Sequence, residues 1–243
     1  MSKTARRTLA GIALLASSAA AQSFEVASVR LNVSHDDRAY YAVAGQNGAK
    51  LTVQRMNLLS LIQRAYDVRV YQVSGPDWLK IVKVDIKAKL PVDAPRTGMA
   101  AALQSLLAER FHMTVHRETR ELPMYVLTVA KGGPKIKPAA DPRGTARIYQ
   151  LRGLYKARNE SIANFSQMLS HTLDRAVTDM TGLTGTFDFV LDYAPLDPRF
   201  SDPTGAQSIF TALQEQLGLK LESRKGPVEV VMIDRMEKTP TKN

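Results

Sequence analysis

The chain has 243 residues, 44% of them hydrophobic, and it carries a formal net charge of +10 without any cysteine. This length and apolar content suffice for one large or two small hydrophobic cores. The absence of cysteine excludes disulfides, thiol chemistry and zinc sites built on thiolates.

The first 21 residues follow the three-part pattern of a secretory signal peptide. Basic residues precede an apolar run from Leu9 to Leu15, and small residues lead up to Ala21. The run is shorter than the roughly 20 apolar residues that a bilayer-spanning helix requires. We therefore expect cleavage between Ala21 and Gln22, and a periplasmic or secreted mature chain that has no transmembrane segment.

From residue 40 to residue 130, the patterning predicts a hairpin, a helix, a strand, a second helix and closing strands. In the helices Leu58–Tyr66 and Met99–Arg110, apolar positions recur at intervals of three and four, which gives each helix one buried face. The strand segments are rich in apolar and β-branched residues. The predicted strands are Tyr41–Val43, Leu51–Val53, Val82–Ala88, a short strand around Val115, and Tyr125–Val129.

A segment rich in Gly, Pro and Lys, residues 131–146, is predicted to be a surface linker. Three basic residues precede Gln22, so the rest of the chain carries +7, and all of this excess falls between Arg117 and Arg158. One interpretation is a solvated linker with edge-strand lysines that discourage aggregation. The other is a basic surface that attracts an anionic partner. Nucleic acid is not expected, because no aromatic residues are interleaved with the basic ones.

Residues 147–235 repeat the order of elements of the first half. The predicted helices are Ile162–Leu173 and Ser208–Leu217, and Pro123 and Pro227 are predicted to mark strand starts. The predicted strands of this half are Ile148–Leu151, Leu154–Ala157, Phe187–Leu191, Leu219–Glu222 and Val228–Ile233.

The sequence thus predicts an α+β protein of two similar modules, residues 24–130 and 147–235, followed by a polar tail at 236–243. Each module is expected to be a small, mostly antiparallel sheet with two helices packed on one side. Two long periods are too few for a solenoid, so the repetition indicates an internal duplication.

Several motifs carry a resemblance to a known family. They are Phe24–Val29, Ser74–Leu79, Leu107–Phe111, Asp179–Gly185 and Leu217–Leu221. In this order they resemble a family of secreted, soil-associated bacterial proteins known as domain of unknown function 3738. The resemblance implies no established activity. Similar domains are also fused to membrane metallopeptidases of the beta-lactam-sensing receptor type, although no metallopeptidase portion is found in this sequence.

Each half is also similar to the short N-terminal modules of secretins and TonB-dependent receptors. The likeness lies in a helix followed by a Leu-Gly-Leu turn and a strand, as at Leu217–Leu221. It implies docking to another protein rather than catalysis.

The sequence contains no H-E-x-x-H, G-x-S-x-G or S-x-x-K signature. On a strand, His112 and His116 would lie about 13 Å apart, too far to share a metal ion. Asp85 and Asp188 occupy matching strands and resemble an acid/base pair, which a duplication explains without chemistry. We therefore expect no metal, no cofactor and no enzyme activity. The alternative is a cell-envelope hydrolase with an unrecognised active site.

Eight residues are candidate contacts for a partner. They are Trp78, Arg110, His116, Glu118, Arg120, Lys131, Lys135 and Lys137. Trp78 beside a turn indicates either core packing or an exposed platform for sugar or peptide. The four residues from Arg110 to Arg120 indicate either a salt-bridged surface or the rim of a recognition groove. The sequence favours an exported, non-catalytic binding or sensing module of the bacterial cell envelope that recognises an envelope protein, a peptide, or an anionic cell-wall or lipid surface.

Overall fold

The computed structural model describes residues 22–34, 36, 38–151, 153–195 and 207–242, so the predicted signal peptide lies outside the described residues. The strands, in chain order, are β1 (Val26–Asn32), β2 (Tyr40–Ala44), β3 (Lys50–Asn57), β4 (Val73–Ser74), β5 (Lys83–Lys89), β6 (Thr114–Val129), β7 (Lys137–Pro138), β8 (Arg147–Leu151), β9 (Leu154–Ser161), β10 (Val177–Asp179), β11 (Thr186–Asp192) and β12 (Leu219–Arg235). The helices are α1 (Leu58–Tyr66), α2 (Met99–Phe111), α3 (Ile162–Leu173) and α4 (Ile209–Ala212), which continues as a π-helical turn over Leu213–Leu217. The predicted α+β class is confirmed.

In this part of the chain the strands form three four-stranded sheets. The N-terminal sheet has the strand order β1-β5-β3-β2 and the C-terminal sheet has the order β7-β11-β9-β8, and both are antiparallel. The central sheet has the order β10-β6-β12-β4, in which the two short outer strands run parallel to their neighbours. Across the described ranges, no helix combines the length and apolar character needed to cross a bilayer.

The N-terminal core lies between the N-terminal sheet and the helices α1 and α2. Its buried residues include Leu58 and Ile62 of α1 and Phe111 of α2. The side chain of Asn57 caps α1 by accepting a backbone N–H from the first turn at 2.8 Å, and Asp67 ends the helix in the left-handed conformation. Both bounds of α1 and of α3 agree with the sequence prediction, because these helices have clear periodicity and definite ends.

The C-terminal core lies between the C-terminal sheet, α3, α4 and the π-helical turn. Phe165 and Phe189 meet there edge to face, with ring centroids 4.8 Å apart. The predicted helix Ser208–Leu217 is α-helical only over α4, and its last five residues form the wider π-helical turn. Gly218 ends it with a φ of 64°, and a Cβ at this position would overlap the carbonyl oxygen of Gly133. This position requires glycine.

β6 and β12 form a long antiparallel ribbon that runs through both halves of the protein. They pair from Val129 and Leu219 at one end to Thr114 and Arg235 at the other. The sequence predicts two separate strands on each side of this ribbon, and the structure shows one continuous strand on each side. That part of the prediction is wrong, because pairing between distant segments carries each strand across its proline.

Pro123 and Pro227 lie inside these continuous strands, so the prediction that they mark strand starts is also wrong. The N–H of Tyr125 donates to the carbonyl of Ala176, and the carbonyl of Glu229 accepts from the Gln72 side chain. Both of these partners lie outside the ribbon. Backbone groups of alternate residues point to the same side of a strand. Both prolines therefore direct their missing N–H away from the ribbon, and neither removes a ladder hydrogen bond.

Each outer core receives residues from both strands of the ribbon. Val115 of β6 and Ile233 of β12 pack on the N-terminal core, whereas Leu127 and Leu219 are buried in the C-terminal core. In addition, β4 of the first half pairs with β12, and β10 of the second half pairs with β6. The two halves therefore share the central sheet, and neither contains every strand of its own core.

Candidate functional site

The structure places the eight predicted contact residues in three separate regions, of which the first lies beside the N-terminal core. Trp78 is half-buried against this core, and the Lys238 ammonium lies 5.8 Å from its ring centroid. Arg110 donates hydrogen bonds to the carbonyl oxygens of Lys242 at 2.9 Å and of Ala27 at 3.3 Å. In this structure these two side chains hold the C-terminal residues and β1 in place.

His116, Glu118 and Arg120 form the second region, on one face of β6. Nδ1 of His116 lies 2.8 Å from a carboxylate oxygen of Asp234, and Arg120 donates two hydrogen bonds of 3.3 Å to Glu118. At least 40% of each of these side chains is exposed. Exposed ion pairs of this kind contribute little to stability. This region is a salt-bridged surface.

Lys131, Lys135 and Lys137 form the third region, where the ribbon meets the C-terminal sheet. Lys131 is exposed. Lys135 donates from its backbone N–H and from Nζ to two carbonyl groups of the π-helical turn, at 2.9 and 2.7 Å. Lys137 belongs to β7 and pairs with Asp188 of β11. Residues 131–146, predicted to be a linker, are thus attached to the C-terminal sheet through β7.

The outer face of the C-terminal sheet carries four basic side chains, which we name the basic row. They are Lys137, Arg147, Lys156 and Arg158. The strand register places Arg147 directly opposite Arg158, and Asp188 neighbours both Arg158 and Lys137. Among the residues that the structure describes, no carboxylate forms an ion pair with any member of the basic row.

The basic row retains an excess of positive charge. Like charges directly opposite each other destabilise a pair of strands, so the juxtaposition of Arg147 and Arg158 has an energetic cost. Asp188 offsets part of it, although its carboxylate already accepts N–H groups from Asn159 at 2.8 Å and Ala140 at 3.3 Å. These hydrogen bonds, that from Asn159 foremost, lower the pKa of Asp188, and Arg158 adds to the effect.

A cleft of about 620 Å³ adjoins the basic row, and both arginines of the row line it. Asp141 and Asp188 line it as well. On the same face, Tyr149 and Val190 flank Lys156 of the basic row. This face therefore offers guanidinium and ammonium donors beside exposed apolar groups, a combination that suits an anionic partner with apolar segments.

Asp85 and Asp188, the residues that resemble an acid/base pair in the sequence, lie in different sheets. Asp85 accepts the N–H of Arg55 at 2.8 Å, as Asp188 accepts that of Asn159 at 2.8 Å. Arg55 and Asn159 both lie at register shifts, with left-handed φ angles of 53° and 57°. Each aspartate therefore stabilises a bulge in its own sheet.

Across the described ranges, no three His, Asp or Glu side chains are grouped so that they could hold a metal ion. His171 of α3 instead contacts the Arg69 guanidinium, which follows α1, through Nε2. Burial, followed by the positive charge of Arg69, lowers the pKa of His171. As a neutral imidazole, His171 accepts a hydrogen bond from Arg69 that joins the helical parts of the two halves.

Glu160 is a buried carboxyl group that no motif of the sequence indicates. Only 3% of the residue is exposed, and it lies opposite Phe187 of β11. Burial raises the pKa of Glu160, and a hydrogen bond with Asn164 opposes the rise. Strict alternation from Tyr155 would point residue 160 outward, but the bulge at Asn159 shifts the phase and turns it inward.

The Glu160 carboxylate should destabilise the fold at neutral pH. A raised pKa means that the folded state binds the proton more tightly than the unfolded state does. The stability that this difference contributes is present at low pH and is lost as the pH rises through the folded-state pKa. We expect Glu160→Gln to raise the Tm at about pH 7.5 and to change it less at about pH 4. Thermal unfolding tests this, with Glu121→Gln as the exposed control. A difference in Tm that does not depend on pH would contradict it.

The fold and the basic row define an α+β protein with an exposed cationic face. A family model matches residues 59–236, and the chain therefore belongs to the family described as protein of unknown function, DUF3738. The matched range runs from α1 to the end of β12 and includes the ribbon and the basic row. Neither the curated proteins nor the solved structures give a significant match to this chain.

Proposed function

We propose that this chain is an exported, non-catalytic binding module of the bacterial cell envelope that recognises an anionic partner through the basic row. The observation that carries this proposal is the pairing of Arg147 with Arg158 without an ion-paired carboxylate in the described part of the chain. A like-charged pair is destabilising in the unbound protein. An anion bound across the two strands would convert that cost into charge-assisted hydrogen bonds.

Export is supported by the pattern of the first 21 residues and by the contacts that begin directly after them. The Gln22 carbonyl accepts a hydrogen bond from the Ser105 hydroxyl at 3.1 Å, and the Glu25 N–H donates to Lys89 at 2.9 Å. Cleavage before Gln22 would leave both contacts in place. Export of the mature chain to the periplasm or beyond is part of the proposal.

An internal duplication is also part of the proposal. Both halves contain a hairpin, a helix, an outer-sheet strand, a second helix and a ribbon strand in the same order. The bulges at Arg55 and Asn159 each precede a helix-capping side chain by two residues, Asn57 in the first half and Ser161 in the second. These shared local features support a common origin of the two halves.

Reversing the basic row should abolish retention on anionic surfaces. We expect the mature chain to bind phosphatidylglycerol vesicles saturably and to release them as salt rises, because exposed charges are screened over about 8 Å at physiological ionic strength. The variant Arg147→Glu/Lys156→Glu/Arg158→Glu should not bind. Vesicle co-sedimentation measures this, with zwitterionic vesicles as the blank.

The matched control for this experiment is Lys50→Glu/Lys87→Glu/Lys225→Glu, which changes the net charge equally at exposed sites elsewhere. It should retain binding, since a local surface rather than total charge is proposed to act. Equal loss of binding in both triple variants would show that only net charge matters, and it would overturn the proposed function. Both variants should melt near the unmodified protein, because exposed charges contribute little to stability.

A further inference from the structure

We propose that the open edge of β8 binds an extended acidic segment of a partner protein by strand addition, with the basic row receiving its carboxylates. This inference rests on the proposed function and specifies its partner. β8 is the last strand of the C-terminal sheet in the part of the chain that the structure describes, and all five of its residues are exposed. In strand addition, main-chain hydrogen bonds supply affinity and alternate side chains supply specificity.

The backbone of β8 is arranged to accept another strand. Leu151 pairs with Leu154 across a two-residue connection, and the pair that flanks such a connection exchanges hydrogen bonds. Hydrogen-bonded and non-hydrogen-bonded pairs alternate along antiparallel strands. Tyr149 therefore bonds to β9, whereas Ile148 and Gln150 direct their N–H and C=O groups to the outer edge. These groups form a template for pairing.

The corresponding edge of the N-terminal sheet is better covered. The three middle residues of β2 are half-buried, and the Arg64 guanidinium lies 4.3 Å from the ring centroid of Tyr41. On β8, by contrast, Ile148 is 43% exposed, Tyr149 55% and Leu151 58%. An uncovered apolar edge invites unwanted pairing. β1, at the other edge of the N-terminal sheet, also exposes Val26 and Leu31. What distinguishes the edge at β8 is the like-charged pair of Arg147 and Arg158 beside it, which favours an occupant of opposite charge.

The charge of the surrounding face selects an acidic occupant. Along the outer face of β8 the side chains are Arg147, Tyr149 and Leu151, and Arg158 and Lys156 stand behind the first two on β9. An added strand would place one side chain beside Arg147 and the next ones on that face beside Tyr149 and Leu151. A carboxylate followed by apolar groups fits this order. A second copy of this chain would bring two basic rows together, which repulsion disfavours.

The probe is a fluorescein-labelled synthetic peptide in which threonine alternates with glutamate and valine. We expect the mature chain to bind it saturably in a fluorescence anisotropy titration. The same peptide with lysine in place of glutamate should not bind. An acidic peptide methylated on alternate backbone nitrogens should not bind either, because it lacks the N–H groups that pair with β8.

Two variants of the chain test the two parts of the inference. Arg147→Glu replaces attraction by repulsion at one cross-strand position and should weaken peptide binding by about tenfold. Gln150→Pro removes a backbone donor from the open edge and should abolish binding, while proline is tolerated in an edge strand. Lys87→Glu, on the N-terminal sheet, should leave binding unchanged. Circular dichroism and the Tm establish that each variant is folded.

The outcomes separate this inference from the proposed function. Gln150→Pro should still be retained on phosphatidylglycerol vesicles, because it leaves the basic row intact. If the unmodified chain binds vesicles but not the acidic peptide, or binds the peptide regardless of Gln150→Pro, strand addition is wrong and anion recognition stands. A dimer in analytical ultracentrifugation that Gln150→Pro dissociates would show that β8 pairs with a second copy, and it would also overturn the inference.

Discussion

Neither half of the chain should fold when it is produced without the other. Residues 22–130 lack β12, which pairs along the whole of β6, and residues 131–242 lack β6. Far-UV circular dichroism and amide dispersion in NMR spectra should be those of unfolded chains for each fragment. An equimolar mixture should regain the spectrum of the intact protein. A single half that unfolds cooperatively on its own would contradict this prediction.

The expected effect is large because the missing strands carry core residues. Leu127 of β6 and Leu219 of β12 are both fully buried in the C-terminal core, and Ile233 packs on the N-terminal core. Burying one such side chain stabilises a protein by about 1.5–3 kcal/mol. Whole domains are stable by only about 5–15 kcal/mol, so the loss of several buried residues together with a strand partner unfolds a half.

A nicked chain is the matched control for the fragments. A protease site inserted next to Gly132 lies in an exposed turn, where an added Cβ would meet nothing within 4 Å. After cleavage there, both halves are present and every pairing of the ribbon remains possible. The nicked protein should elute as one folded particle in gel filtration. Its dissociation would show that the connection, rather than the shared ribbon, holds the halves together.

Local patterns in the sequence predict the helices and most outer-sheet strands, and they fail at the ribbon. α1 and α3 were predictable because their apolar positions are periodic and their ends are marked by Asn57, Ser161 and left-handed residues. The ribbon depends on pairing between segments about a hundred residues apart, and no local window contains that information. β4 and β7 have two residues each, which is too short for a strand pattern in the sequence. They are strands only because they pair with β12 and β11.

Like the ribbon, the candidate site depends on how strands pair with one another. The sequence places the excess positive charge between Arg117 and Arg158, but it does not show which surface of the folded protein carries each charge. The sequence indicates Lys137 as a candidate, whereas Arg147 and Arg158 become neighbours only through the register of β8 against β9. The sequence does not mark Glu160 as buried, because a bulge changes the phase of its strand. Register and bulges are tertiary features, and they decide which charges stand together.

Asp85→Ala should lower the free energy of unfolding by about 1–3 kcal/mol, because it leaves the Arg55 N–H without its acceptor. The Asp85 carboxylate also accepts from the Asn32 side chain at 3.0 and 2.9 Å. Asp85→Asn keeps one acceptor oxygen and should recover most of the loss. Asp77→Ala, whose side chain is 98% exposed, should stay within about 0.5 kcal/mol. Urea unfolding measures all three, and equal losses for Asp85→Ala and Asp77→Ala would contradict the role of Asp85 at the bulge.

Asp188 stabilises the bulge at Asn159, as Asp85 stabilises the bulge at Arg55. Because Asp188 also lies among the cations of the basic row, its substitution should affect binding as well as stability. Its lowered pKa keeps it charged at neutral pH, and the stability it contributes is present above the ordinary carboxyl pKa and is lost as the pH falls through the folded-state pKa. Asp188→Asn retains an acceptor oxygen while removing the charge that offsets Arg158. Retention on phosphatidylglycerol vesicles should therefore strengthen, whereas Asp85→Asn should leave retention unchanged. Identical retention of the two variants at one salt concentration would mean that the anionic surface is bound away from Asp188.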